Sequence, residues 1–227
     1  MILRGKRAQL DAKAAWILAE AIQTLLDTKS KVIVAVPGGR SVCGILQNMA
    51  KDDLDWHRVH LFMVDERLVP IDHPESNFRL VLESLEQILP ATSLHPFVYD
   101  AAAGDFGVGE YERQLMRVGG RFDVVLLSSG EDGHIASIFP NQQATVAGGE
   151  KFILVEDSPK PPSRRMTATP SLIAAAQVGL LLFFGIGKGL ALKNFFNPQL
   201  NVSECPAKLI FTLPQHYILT DLEVPVP

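Results

Sequence analysis

The sequence predicts an α/β fold in which helices cover both faces of a mainly parallel sheet. Three observations predict it. Short runs rich in Val, Ile, Leu and Phe recur along the chain, too continuously apolar for one side to face water. Longer stretches with apolar residues at helical spacing lie between them. Several apolar runs end in Gly-rich or charged clusters, and ligands of such sheets bind beyond the carboxyl ends of the strands. The 227 residues are 47% hydrophobic and 20% charged, which suits a domain with a substantial core and excludes a disordered chain.

Element by element, Ala14 to Leu26 carries apolar residues at helical spacing with no Gly or Pro and reads as a helix. Lys31 to Val36 (KVIVAV) reads as a strand buried on both faces, and Val42 to Ala50 returns to helical character. Val59 to Val64 (VHLFMV) is a second strand, followed by a helix from about Glu75 to Leu85. Phe122 to Leu127 and Val178 to Phe184 are further apolar strands, with Phe152 to Val155 and Tyr217 to Leu219 as shorter candidates. The Pro-rich stretch Ser158 to Ser163 is short, and apolar elements resume on both sides. It reads as a loop within a single domain spanning residues 1–227.

Composition removes several function classes. Twenty-one basic against 25 acidic residues give a formal charge of −4, against the basic field expected of a nucleic-acid binder. Cys43 and Cys205 form no CxxC pairing, which excludes a disulfide framework or thiolate zinc site and suits a reducing compartment. The start Met-Ile-Leu followed by Arg4, Lys6 and Arg7 reverses the order of a secretory signal. The most apolar stretch, Val178 to Ile186, falls short of the roughly 18 residues of a membrane span. The expectation is a cytoplasmic protein with no membrane or nucleic-acid partner, as a monomer or small homo-oligomer.

Four strand ends carry chemistry. Pro37-Gly38-Gly39-Arg40-Ser41 follows the first strand and precedes a helix, so its amides and the helix N-terminus could receive an anion, with Arg40 and Ser41 as added donors. The cluster matches neither the GxxxxGK[ST] nor the GxGxxG loop, and an ordinary strand-to-helix turn is the competing explanation. Asp65-Glu66-Arg67 follows the second strand. Its Arg could grip a phosphate or carboxylate and its Asp could accept a proton, or the three could be a surface ion-pair loop. Downstream, Ser76-Asn77 could simply begin a helix. Gly130-Glu131-Asp132-Gly133-His134 places an imidazole, ordinarily titrating near pH 6.5, where a general base is useful, with Asp132 either orienting it or bonding its own turn. Gly185-Ile186-Gly187-Lys188-Gly189 offers an ammonium suited to phosphate, but Leu182 stands where a Walker loop has its leading Gly. Arg164-Arg165-Met166-Thr167 precedes a helical segment near Pro170 and could be solubilising surface.

Metal chemistry lacks support, since His57 and His60 have only apolar partners nearby and no HExxH occurs. With no GxSxG elbow, and Cys43 read as a packed helix residue, water is the expected nucleophile. These residues point to a small phosphorylated metabolite and metal-free acid–base chemistry without a cofactor.

Gly38-Gly39, Trp56-His57-Arg58-Val59, Asp65-Glu66-Arg67-Leu68-Val69-Pro70, His73, Ser76-Asn77-Phe78, Phe122-Asp123, Asp132-Gly133-His134-Ile135-Ala136-Ser137-Ile138-Phe139-Pro140, Arg165-Met166-Thr167 and Gly185-x-x-Lys188 occur in this order over nearly the whole chain. In them the sequence resembles the glucosamine-6-phosphate isomerase/6-phosphogluconolactonase family. The resemblance implies a Rossmann-like three-layer α/β/α fold. It also implies cofactor-free and metal-free hydrolysis of 6-phospho-D-glucono-1,5-lactone to 6-phosphogluconate in the oxidative pentose phosphate pathway. By similarity His134 is the general base, and Asp65 and Asp132 shape the acid–base environment. Gly38, Gly39, Arg67, Asn77, Arg165 and Lys188 would hold the substrate, joined by Arg40 and Ser41 from the first loop.

Two departures stand out. Related sequences read Ser-Gly-Gly-Ser-Thr-Pro where this one has Pro37 to Val42, which bears on phosphate contacts that Arg40 could compensate. They carry Gly where Ser128 stands, which crowds the backbone's approach to the sugar. The family's other activity, isomerisation and deamination of glucosamine 6-phosphate, goes with a Glu shortly after the Asp-Gly-His turn, whereas no acid occurs from Ile135 through Gly149. A non-catalytic sugar-phosphate sensor would keep the cations but has no need of His134.

Overall fold

The computed structural model describes residues 1–85, 88–146 and 149–223. Its main sheet has seven strands: β1 (Ile2–Arg4), β2 (Val32–Val36), β3 (Val59–Met63), β5 (Leu94–His95), β6 (Val124–Ser128), β9 (Val178–Phe183) and β10 (Gln215–Thr220). They lie in the order β1-β10-β9-β6-β2-β3-β5, and every neighbouring pair is parallel. From β2 the chain builds outward through β3 to β5, and from β6 through β9 to β10 in the opposite direction. The order therefore reverses between β2 and β6, the crevice where sheets of this kind receive ligands.

Alternation along the strands sends side chains into two cores. Val32, Val34 and Val36 of β2 pack with helices α1 (Arg7–Leu26), α2 (Arg40–Met49) and α3 (Asn77–Leu85). Ile33 and Ala35 point the other way and pack with α4 (Val108–Val118), α5 (Pro170–Ala174) and α6 (Gly189–Phe196). The same split divides β9, with Leu180 and Leu182 on one face and Leu181 and Phe183 on the other. This is the three-layer α/β/α arrangement expected of the sequence, and its strands are buried on both faces as their near-continuous apolar runs require.

The structure adds a small antiparallel sheet, in the order β4-β8-β7, formed by β4 (Asp65–Arg67), β8 (Arg165–Ala168) and β7 (Phe152–Val155). This corrects two expectations. Asp65-Glu66-Arg67 is a strand, not the surface ion-pair loop weighed for it, and Arg165-Met166-Thr167 is its buried partner rather than solubilising surface, while a helix does begin at Pro170 as read. The main sheet itself anchors the addition: the Val64 amide donates to the Val36 carbonyl at 2.9 Å and the Ala168 amide to the Val64 carbonyl at 2.7 Å. Helix α4 was not singled out in the sequence, although Val108, Tyr111, Leu115 and Val118 recur at helical spacing before Gly119-Gly120; it buries Tyr111, whose hydroxyl accepts from the Met63 amide at 2.7 Å. Among the described residues no helix is long and apolar enough to cross a membrane.

Candidate functional site

A cavity of about 310 Å³ opens at the carboxyl ends of β2 and β6, against the small sheet. Gly38 and Gly39 form one wall. Gly39 has φ +93°, a left-handed conformation that permits the sharp turn into α2. Gly38 is required for contact, because a Cβ there would lie 1.9 Å from Asn77 Oδ1. Asn77 is buried in that space, and its Nδ2 donates to the Asp65 carbonyl at 3.0 Å.

Strand pairing explains how the charged cluster of β4 divides. Arg67 is directly opposite Arg165, and Asp65 directly opposite Thr167. Opposed residues share a face and a strand's alternate residues do too, so Asp65, Arg67 and Arg165 all meet the cavity. Glu66 faces away. Its carboxylate accepts from the backbone amides of Arg67, Asn77 and Phe78, each at 2.7 Å, and from Ser76 Oγ at 3.1 Å, securing the start of α3. Burial pushes its carboxyl above the ordinary value despite those donors. Asp65 is 5% exposed and accepts from Ser137 Oγ at 2.7 Å. The buried Nε–H of Arg67 has no hydrogen-bond partner, a costly state that an anion in the cavity would relieve.

His134 and Asp132 form a hydrogen-bonded pair at the cavity. His134 Nδ1 lies 2.5 Å from Asp132 Oδ1, which also accepts from the His134 amide at 3.2 Å. Burial alone would raise the Asp132 carboxyl, but the hydrogen bonds and charge of His134 outweigh it and hold it well below the ordinary carboxylate range. An ionised carboxylate only accepts hydrogen bonds, so Nδ1 is the ring nitrogen that donates to it, and in the neutral ring Nε2 is then the one with the lone pair. The ring packs 4.5 Å from that of Phe139 and lies against Gly130, where a Cβ would come within 2.0 Å of it. This glycine is what lets the imidazole lie over its own turn.

Lys188 completes the far wall, together with Lys160 and Pro161 from the loop between β7 and β8. Burial, then the field of Lys160, pushes the Lys188 ammonium below its ordinary value. The lining therefore holds four cations, Arg67, Lys160, Arg165 and Lys188, against the single carboxylate of Asp65. A family model described as glucosamine-6-phosphate isomerases/6-phosphogluconolactonase matches residues 5–219. The chain belongs to that family.

Similar members include a 6-phosphogluconolactonase of Borreliella burgdorferi, 31% identical over 204 residues, covering 87% of each chain. One of Synechocystis is 34% identical, covering 78% of this chain and 76% of the other. Among solved structures, the 6-phosphogluconolactonase of Thermotoga maritima superposes with a TM-score of 0.82 at 25% identity, covering 97% of both chains. That of Trypanosoma cruzi gives 0.82 at 26% identity, covering 96% of this chain and 93% of its own.

Of the residues singled out in the sequence, Gly38, Gly39, Asp65, Arg67, Asn77, His134, Arg165 and Lys188 line this one cavity. Asp132 stands behind His134. Arg40 and Ser41 are not among the lining residues: Arg40 is exposed on the first turn of α2, and Ser41 reaches the cavity only through Ser128, Oγ to Oγ 3.0 Å. Lys160 was missed. The one signal for it was a lysine held between prolines in a loop otherwise read as a connection.

Proposed function

We propose that this family member hydrolyses 6-phospho-D-glucono-1,5-lactone to 6-phospho-D-gluconate, the lactone-opening step of the oxidative pentose phosphate pathway, with residues 1–227 acting as a single domain. The observation that carries the reading is the convergence of the His134–Asp132 pair with four cations on one small cavity. A phosphorylated sugar ester needs both. In this mechanism Nε2 of His134 takes a proton from water as the water oxygen adds to the lactone carbonyl. Asp132 stabilises the imidazolium that forms. Collapse of the adduct breaks the bond from C1 to the ring oxygen, and His134 returns its proton to that oxygen as it becomes a hydroxyl. The new carboxylic acid then ionises, releasing one proton per turnover. Arg67, whose Nε–H has no partner, is suited to the negative charge that grows on the carbonyl oxygen. The glycine loop and Lys188 hold the substrate.

The test follows proton release by purified protein supplied with freshly generated 6-phosphogluconolactone. Acceleration over spontaneous opening is expected, and His134→Ala lowers turnover about 100-fold or more. No acceleration by the wild type rejects the reading, and full turnover by His134→Ala rejects the base.

A further inference from the structure

Arg165 is buried in the cavity wall, yet most of its donors are already committed. Nε donates to the Pro162 carbonyl at 3.0 Å, and Nη2 donates to the carbonyls of Lys160 at 3.0 Å and Pro161 at 3.3 Å. Nη1 reaches Ser137 Oγ at 3.5 Å. A guanidinium has five N–H bonds, so one remains for a ligand. What Arg165 does chiefly is tie down three successive carbonyls of the loop between β7 and β8.

The charged residue this loop presents to the cavity, beside Pro161, is Lys160. Its backbone is fixed twice more by Ser158, whose Oγ donates to the Lys160 carbonyl at 2.9 Å and accepts from its amide at 3.2 Å. The Ser158 amide closes the loop onto the Ser163 carbonyl at 3.0 Å. Among the described residues neither Lys160 nor Lys188 forms an ion pair with a carboxylate. Burial, then the field of Lys160, lowers the Lys188 ammonium against the opposing charges of Glu131 and Asp132. Two unpaired ammoniums facing one cavity are unfavourable until a group carrying about two negative charges sits with them.

We propose that Lys160 binds the substrate's phosphoryl group together with Lys188, and that Arg165 is a positioning residue acting through the loop that carries Lys160. The substrate class rests on the hydrolysis reading above. The experiment separates the two by measuring inorganic phosphate binding by calorimetry, which requires no turnover, beside steady-state kinetics on the phosphorylated lactone. In Lys160→Ala the Kd for phosphate and the KM both rise roughly tenfold, as loss of one charge-assisted contact implies, while kcat stays within about twofold. Lys160→Arg restores both. Arg165→Lys loosens the loop and weakens phosphate binding, and adding Lys160→Ala to it costs little more, because both changes remove the same ammonium from the site. Should Arg165→Lys fail to fold, Ser158→Ala loosens the same loop and takes its place in the double variant. Unchanged phosphate affinity in Lys160→Ala overturns the proposal, and so do effects of the loop variant and Lys160→Ala that multiply in full. A wild type that binds phosphate through Lys160 but leaves the lactone untouched overturns the hydrolysis reading and supports this one.

Discussion

Replacing Asp132 by Asn tests the acid–base pair with little change of shape. The amide oxygen of Asn can still accept from Nδ1–H, now 2.5 Å away, and from the His134 amide at 3.2 Å, so ring position and tautomer survive. What disappears is the negative charge beside the imidazolium that the proposed water attack forms. A hydrogen bond to a charged partner contributes about 1.5–3 kcal/mol, roughly twice a neutral one, so losing the charged share removes about 1–2 kcal/mol from the transition state. At about 1.4 kcal/mol per decade, kcat falls roughly 5- to 30-fold. The KM stays near the wild-type value, because Asp132 stands behind His134 and outside the cavity lining. The assay is proton release at saturating lactone near pH 7, far above the depressed range of the Asp132 carboxyl. A variant with wild-type kcat would show that His134 works without its carboxylate, refuting the pair as the acid–base element. A variant altered in KM alone would move Asp132 to substrate binding.

Gly38→Ala puts a methyl group 1.9 Å from Asn77 Oδ1 and 2.6 Å from its Cβ, so turning the side chain cannot clear it. A loss of about 1–3 kcal/mol in stability and a raised KM are expected, and unchanged thermal unfolding and kinetics would refute that packing. At the sheet edge, His95 Nε2 lies 2.9 Å from His60 Nδ1, and burial, then the charge of His60, lowers His95 to about 4 against an opposing bond from Gln114. The neutral ring's contribution is complete above the unfolded value near 6.5 and is lost as pH falls toward 4. Discounted for partial exposure, it amounts to about 1–2 kcal/mol. Urea unfolding at pH 7.5 and 4.5 should show His95→Gln losing less stability on acidification than wild type, and equal losses would count against this pair.

Legibility in the sequence followed the physics of each element. Strands β2, β3, β6 and β9 are buried on both faces, so their apolar runs announced them, and each boundary lay within two residues. Strand β4 is Asp-Glu-Arg, with two residues depleted in strands, and β8 (Arg-Met-Thr-Ala) has no apolar run to announce it. β8 pairs with nearby β7, but β4 is a strand only by pairing with β8, about 100 residues downstream, and pairing of that kind leaves no local trace. The same limit hid the division of labour at Asp65-Glu66-Arg67, where alternation sends Glu66 to cap α3 and its neighbours to the cavity. His134 and Asp132 were legible because their chemistry is local, two residues apart on one turn. Lys160 was not, because its presence in the cavity depends on Arg165 binding carbonyls three to five residues upstream.

The two positions that the resemblance sets apart, in the first loop and at Ser128, are far apart in the chain and meet in space. Ser128 ends β6 and Ser41 lies in the first turn of α2, and their hydroxyls are 3.0 Å apart across the point where strand order reverses. A glycine at 128 would leave Ser41 without that partner. Ser128 also lines the cavity, and its hydroxyl is turned toward Ser41 on α2. Arg7 secures the other side of this helix start, its Nη2 donating to the Ser41 carbonyl at 2.8 Å while its Nε donates to Asp11. The first loop is thus held from β6 and from α1. With Arg40 exposed, the unusual wording of this loop changes how the glycines are braced and adds no cation to the cavity.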